Sequence, residues 1–349
     1  MAKTVEQIAK ALGISITTVR LVLNGKAGQY RISAKTQSRI ASYVGEYGYT
    51  INHAARSLKL NKTDTLGLII PRLSNLFFST LAEKLEIRCR EAGYQLTTSC
   101  TYSDTERENT LVETMQQRNV DGLFVVPSSL PAQNHHIKRF TKPLVFLDRD
   151  FSDSAVSLVV SDNVNGSAAL THAIIDAGTL PLFFMAGDMQ QPTIKQRLQG
   201  FTETLAAHGI SENADWVLTA QHNRREDGQL LMQRFFELHQ DAPPAFIASS
   251  LPVLEGALNV LREHYGYIPA EMNIGTFDEH PMLGFLPNNT WSMRQDEDAW
   301  VEHAFQAMTQ AMEGETAPVK SVIPMTLKHR RRAAFCQQAQ GKADPAGQA

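Results

Sequence analysis

Cysteine is scarce in this sequence: Cys89, Cys100 and Cys336 are the only three in 349 residues, and no CxxC pair is formed. An odd, widely spaced set suits neither a disulfide framework nor a thiolate metal site, so reduced thiols of a cytoplasmic protein are expected, two of them packed in a core. No apolar run approaches the roughly 20 residues of a membrane span. The first twenty residues, "MAKTVEQIAKALGISITTVR", are polar and periodic and contain no signal-peptide apolar segment. Catalytic signatures are missing too: there is no G-x-S-x-G, no P-loop, no HExxH, and no G-x-G-x-x-G behind the first strand. The adjacent histidines of "NHHIKRF" cannot both face one metal from a helix, and "DEHP" at 278–281 has no spaced partner. No cofactor and no metal are therefore expected. A last shortage is local, for carboxylates almost vanish from residues 1–62, where only Glu6 and Glu46 occur.

The same 62 residues hold ten Lys and Arg, a net of +8, against −3 for the whole chain; residues 63–349 therefore carry −11. A basic module joined to an acidic remainder is the electrostatic footprint of a polyanion-binding unit. Its pattern is helical. "TVEQIAKALG" spaces Val5, Ile8, Ala9 and Leu12 along one face, capped by Thr4 with Gln7 three residues on, and stops at Gly13. "SITTVRLVLNG" forms a second helix with Val19, Val22 and Leu23 inward, N-capped by Ser15 and stopped at Asn24-Gly25. A third runs through "AKTQSRIASYVGEYGY" from Ser33, with Ile40, Val44 and Tyr47 inward.

Two short helices joined by so tight a turn read as a helix-turn-helix, whose second helix presents its N-terminal end to the DNA major groove. Ser15, Ile16, Thr17 and Arg20 would then meet base edges and phosphates. The plainer alternative is a small helical bundle with an ordinary polar surface.

The order of motifs along the chain separates these two readings. "IAKALGISITTVRLVLNG", then "NHAARSLK", then "TLGLIIP", in this order and spacing, resembles the lac repressor family of transcription regulators over nearly the whole chain. The resemblance implies a hinge helix at Asn52–Lys59 that folds on operator DNA, with Leu58 wedged into the minor groove and Lys59 beside it. It also adds Thr4, Thr18, Asn24, Arg31, Asn52 and Ala55 to the DNA-facing set. "NGKAGQYRIS" is longer than the lac repressor's loop and resembles the sucrose and fructose repressor branch. Arg20 stands where the family usually has a small serine, a departure that bears on the operator sequence.

Residues 63 to about 335 read as α/β on their own. Apolar runs such as "TLGLII", "DGLFVV", "LVFLD", "LFFMAG" and "NIGTF" alternate with helical stretches of 12 to 18 residues. Nine or ten strands in such alternation predict two doubly wound parallel sheets with helices on both faces. The resemblance implies a periplasmic-binding-protein-like core with an effector between its lobes. The expected organisation is a helix-turn-helix domain at 1–50, a hinge and linker at 51–62, and a core at 63–335. Within the core, one lobe takes 63–162 and 290–319 and the other 163–289 and 320–335, with crossings near 163, 289 and 320. Residues 336–349 are a low-complexity, disordered tail without a leucine heptad, so a homodimer is expected.

Ligands of such sheets sit beyond the carboxyl ends of strands. Asn75, Phe77 and Phe78 follow "GLIIP"; Asp148 and Arg149 follow "LVFL"; Lys195 and Arg197 lie in the helix after "LFFMAG". Arg197 opens an R-x-x-G-F motif that resembles the family's sugar-holding arginine, and Asp278 after "NIGTF" resembles its inducer-binding aspartate. Gln295 matches a cleft glutamine. Ser250 replaces an asparagine of the lac repressor, which argues against a galactoside. Phe77 and Phe78 read equally well as core, and Arg149 and Lys195 as partners of neighbouring acids. The reading is a ligand-tuned repressor of sugar-utilisation genes, with operator DNA and a sugar or sugar phosphate as partners and no enzymatic activity. A sugar-binding protein of periplasmic type without a regulatory role is the alternative.

Overall fold

The computed structural model describes residues 2–49, 62–211, 213–315 and 317–331. The chain divides into two compact units, 1–64 and 65–349. In the first, α1 (Val5–Leu12), α2 (Ile16–Leu23) and α3 (Ala34–Tyr47) bury Val5, Ile8, Ala9, Val19 and Ile40 against one another. The caps are as the sequence predicts. Thr4 and Gln7 form a reciprocal capping box, Ser15 Oγ accepts from the Thr18 amide at 3.0 Å, and Gly13 adopts the left-handed φ of 62° that ends α1. Tyr47 departs from expectation. It stays 43% exposed, its ring tilted against Tyr43 at 4.6 Å, because it sits on the last turn of α3, where α1 and α2 no longer cover it.

The second unit contains two six-stranded sheets. The first runs in the order β2 (Gln95–Cys100), β1 (Thr65–Ile70), β3 (Gly122–Val125), β4 (Leu144–Leu147), β5 (Ser157–Ser161), β11 (Lys320–Ile323), all parallel. The second repeats that order with β7 (Val217–Ala220), β6 (Leu182–Asp188), β8 (Ala245–Ala248), β9 (Asn273–Phe277), β10 (Asn289–Arg294) and β12 (Thr326–Arg330). Only β12, against β10, is antiparallel. Central strands such as β3, β8 and β9 are buried throughout, as parallel strands covered on both faces must be. Leu66, Leu68 and Trp300 pack on one face of the first sheet, Ile69, Val112 and Phe146 on the other. The doubly wound expectation is met.

The crossings differ in detail. β10 at 289–294 belongs to the second sheet and β11 at 320–323 to the first, so the crossings after the first one fall near 295 and 324 rather than 289 and 320. These strands, with β12, were invisible to hydrophobic pattern. "NTWSMR" buries Thr290 and Ser292 at 0% exposure, and "KSVI" and "TLKHR" are short, polar edges specified by pairing. Cys89 is buried, its thiol pushed up to about 12 by desolvation, and Cys100 is half-buried. The hinge segment, including Asn52, Ala55, Leu58 and Lys59, and the tail at 336–349 lie outside the described residues. No helix among the described residues is long and apolar enough to cross a membrane.

Helices α4 (Leu76–Glu91), α5 (Thr105–Gln117) and α6 (Leu130–Arg139) belong to the first lobe; in the second, α7 (Asn163–Asp176) and α8 (Pro192–Ala207) cross closely, and Gly200 is the reason. A Cβ there would lie 2.2 Å from the Val164 carbonyl oxygen and 2.8 Å from Ser167 Cβ. The R-x-x-G-F motif thus has a mechanical meaning. Phe201 fills the core at 0% exposure, Gly200 lets the helices touch, and Arg197 is carried to the cleft one turn earlier. Gly200→Ala is expected to lower stability by about 3 kcal/mol through overpacking against backbone. Urea unfolding should show a lower midpoint at unchanged m.

Candidate functional site

The exposed end of α2 is the first candidate. Ser15, Ile16, Thr17 and Arg20 are all exposed, Ile16 to 41%, although a lone isoleucine at that level has no core to fill. Thr18 is half-buried and shares a 2.8 Å hydrogen bond with Ser15 Oγ, so its hydroxyl is committed to the cap. Arg20 Nη2 lies 3.1 Å from Glu6 Oε1, an exposed ion pair that holds the guanidinium beside the turn. Asn24 and Arg31 are exposed, Arg31 with a left-handed φ of 50°. Thr4 faces Gln7 in its capping box. The N-terminal turn of α2 therefore presents small exposed polar side chains, with the Arg20 guanidinium one turn further on, a set that suits phosphate and base edges.

The second candidate lies between the lobes. Asp148 and Asp278 each follow the fourth strand of a sheet, β4 and β9, in equivalent positions. Both have left-handed backbones, with φ of 66° and 72°. Non-glycine residues take that conformation at a cost and only where the surroundings impose it, commonly at functional sites. A small cavity of about 40 Å³ is lined by Asn75, Phe77, Phe78, Asp148, Arg149, Arg197, Ser250, Asp278 and Gln295. Nine of the ten residues proposed for the effector thus meet in one place. The exception is Lys195, which is exposed and lines neither this cavity nor its neighbour; two residues before Arg197, it is rotated about 200° around the helix.

Arg197 lines this cavity and is buried. Its Nε donates to Asn163 Oδ1 at 2.9 Å, one Nη donates to the Ser249 carbonyl at 2.7 Å, and its carbon Cζ sits 4.2 Å over the Phe277 ring. Burial pushes its pKa down, opposed by Asp278 and Asp148. Asp278 is driven up by the same desolvation, which outweighs the pull of Arg197 and of the hydrogen bond from Gln295. Gln295 lies on the second crossing and joins the lobes. Its Nε2 donates to Asp278 Oδ1 at 2.5 Å, while its Oε1 accepts from Ser161 Oγ at 2.5 Å. Trp300 Nε1 donates to Ser161 Oγ at 3.1 Å, and Phe77 meets the Trp300 ring edge-on at 5.3 Å, so the floor of the cleft is tied to the first lobe's core.

The raised pKa of Asp278 has a thermodynamic sign. Above the ordinary carboxylate value and up to the raised one, the folded state holds this proton more tightly than the unfolded state, so its stabilising contribution declines as pH rises through that window. Asp278→Asn is neutral at every pH and is expected to lack this decline, which urea unfolding at pH 4 and pH 7 would measure against the wild type.

Three polar residues stand out among those that sequence reasoning missed. Gln191, after β6, bonds the Ser128 carbonyl at 3.4 Å and Asp188 at 3.0 Å, and its own Oε1 is buried without a partner. Thr193 Oγ1 donates across the lobes to the Asp148 carbonyl at 3.2 Å. Asn163, after β5, orients Arg197. The strand-end rule would have found all three, had it been applied to every strand. Arg149 Nε binds Asp148 Oδ2 at 3.0 Å, so the acid-partner reading holds for it in part. Beyond it a larger cavity of about 500 Å³ shares Asn75, Phe78, Arg149, Gln191 and Asn223 with the first and adds Arg72, Arg224 and Arg225 at its rim.

Two doubly wound lobes with a polar cleft at their strand ends, on a chain that also carries a small helix-turn-helix unit, define a ligand-responsive DNA-binding regulator. A family model described as a periplasmic binding protein domain matches residues 66–316. The sucrose operon repressor of Klebsiella pneumoniae is 30% identical over 328 residues, covering 94% of this chain and 98% of that one. Among solved structures, the Cra transcriptional dual regulator of Pseudomonas putida in complex with fructose 1-phosphate superposes with a TM-score of 0.71 at 24% identity, over 78% of this chain and all of that one. The lac repressor dimer bound to operator and an anti-inducer gives 0.81 at 18% identity, over 96% of this chain and 100% of the other. The chain belongs to the lac repressor (LacI) family of transcription regulators, in the sucrose and fructose repressor branch.

Proposed function

We propose that the protein acts in the cytoplasm as a homodimeric, non-enzymatic repressor of sugar-utilisation genes, releasing a pseudo-palindromic operator when a fructose- or sucrose-type sugar or sugar phosphate enters the interlobe cleft. The observation that carries this reading is the convergence of Asp148, Arg149, Arg197, Asp278 and Gln295 on one cavity at the strand ends of both lobes. Carboxylates accept from sugar hydroxyls, and guanidinium groups bind phosphate through paired, charge-assisted bonds. Arg149, with Arg72, Arg224 and Arg225 at the wider rim, gives a phosphate several cations to choose from. The fructose 1-phosphate held by the Pseudomonas putida structural neighbour supports the phosphate.

Two subunits bring two α2 termini to half-sites, and hinge segments containing Leu58 meet at the centre of the operator. Effector favours a lobe arrangement that separates the hinges, and by linkage operator weakens effector binding by the same factor. Because Gln295 bonds Ser161 in one lobe and Asp278 in the other, ligand contacts to Asp278 bear directly on the lobe connection.

Calorimetric titration of the full chain with fructose, fructose 1-phosphate, sucrose and galactose tests the reading. Saturable binding of a fructose-type ligand is expected, with none for galactose. Arg149→Ala should weaken a phosphorylated ligand more than its free sugar; equal losses would remove the phosphate from the account and leave the sugar.

A further inference from the structure

A second cluster of ligating side chains lies away from the cleft, where α7 ends beside the end of α8. His172 and Asp176 are one turn apart on α7 and so share a face. His208, the C-cap of α8, reaches the same point. His172 Nδ1 lies 2.8 Å from Asp176 Oδ2, the two imidazole rings are 4.8 Å apart at their centroids, and one ligand atom from each of the three residues falls within 4.8 Å of the others. All three side chains are exposed and reachable from solvent. Glu203 and Thr204 line the same depression, with Ala169, Ala173 and Ala207 as its apolar walls.

The decisive detail is His208. Its Nδ1 is 2.8 Å from the Thr204 carbonyl oxygen, which can only accept, so in the neutral ring Nδ1 carries the proton and Nε2 is the nitrogen left to ligate. A backbone carbonyl fixing the second ring nitrogen is the usual orienting contact of a metal-bound histidine. Two imidazoles and one carboxylate, with a fourth position open to water, suit a borderline divalent cation in tetrahedral geometry.

We propose that His172, Asp176 and His208 bind one zinc ion per chain. The ion displaces the contact between His172 and Asp176 and staples the C-terminal ends of α7 and α8, the same two helices whose earlier turns carry Asn163 and Arg197. Linear spacing could not reveal it, since 36 positions separate His172 from His208 and only the α7–α8 crossing brings them together.

The test uses the tag-free full chain, titrated with zinc chloride against a chromophoric chelator and, separately, with cobalt chloride followed by absorption. One zinc per chain is expected, with a tetrahedral cobalt d–d spectrum. His172→Ala, His208→Ala and Asp176→Asn should each weaken zinc at least about tenfold, the scale of losing even an orienting partner. Cys100→Ser and Cys336→Ser should bind as the wild type does. Because the three side chains are exposed, thermal unfolding without metal should be unchanged; if one alanine variant fails to fold, Asp176→Asn decides. Zinc affinity that survives in all three variants, affinity lost on removal of a cysteine, or no binding by the wild type at about 100 µM zinc would overturn the site.

Discussion

Arg197→Ala and Asp278→Ala are each expected to give a protein that binds operator normally and no longer releases it when effector is added. Arg197 is held by Asn163 and the Ser249 carbonyl and lies over Phe277, so the protein's own contacts set its position in the cavity. Truncating one member of a buried, hydrogen-bonded charged set costs about 2–5 kcal/mol, which at about 1.4 kcal/mol per decade is a loss of roughly 30-fold to a few thousandfold in effector affinity. The variants differ in their side effects. Arg197→Ala strips Asp278 of its nearest opposing charge and leaves two acceptors unpaired, so it should also lose stability. Asp278→Ala removes a carboxylate whose burial is costly, and its stability should fall less. Reporter expression should stay low at inducing concentrations in both, and calorimetry should show the affinity loss directly. Normal induction of either variant would move the effector out of this cleft.

The second large effect is electrostatic. Ten basic residues and two acidic ones within 62 positions make the N-terminal unit a concentrated cation. If about six to ten phosphates are neutralised, operator affinity should fall by roughly 10³- to 10⁵-fold between 50 and 200 mM salt. If Leu58 wedges into the minor groove, as the family resemblance implies, Leu58→Ala should weaken operator binding while leaving binding to random DNA nearly unchanged, because such a wedge acts at one base step. Thr17→Ala, at the exposed end of α2, should also reduce discrimination more than non-specific affinity. Anisotropy titrations on operator and scrambled duplexes at several salt concentrations separate the terms. Equal losses on both duplexes would refute the hinge reading of Leu58.

The parts of this molecule that local chemistry determines were legible in the sequence. Caps at Thr4, Ser15 and Ser33 work through side chains bonding amides a few residues away, so a short window contains the whole signal. Buried parallel strands such as β1 and β9 announce themselves as apolar runs. Strand ends, together with the family resemblance that supplied Ser250 and Gln295 and singled out Arg197 and Asp278, brought nine effector candidates to one cavity, because a doubly wound topology places strand ends together. What could not be read depends on partners far along the chain. β10, β11 and β12 exist by pairing, not propensity, and with them the true crossings. Tyr47 looks inward by periodicity, yet a helix has an inward face only while something packs on it. Lys195 sits two residues from Arg197, but the rotation between them decides which one lines the cavity. The His172–Asp176–His208 cluster is the extreme case, two helices contributing to a point that neither specifies alone.

The most direct measurement of the central claim is an anisotropy titration of the full chain on a fluorescent operator at fixed salt, repeated at rising fructose 1-phosphate, for wild type and Asp278→Ala side by side. The wild-type midpoint should move to higher protein concentration and level off, typically by 5- to 150-fold for an allosteric coupling, while the Asp278→Ala midpoint stays fixed. A wild-type midpoint indifferent to every fructose- or sucrose-type sugar, free or phosphorylated, or an Asp278→Ala midpoint that moves equally, would contradict a sugar effector acting through the cleft.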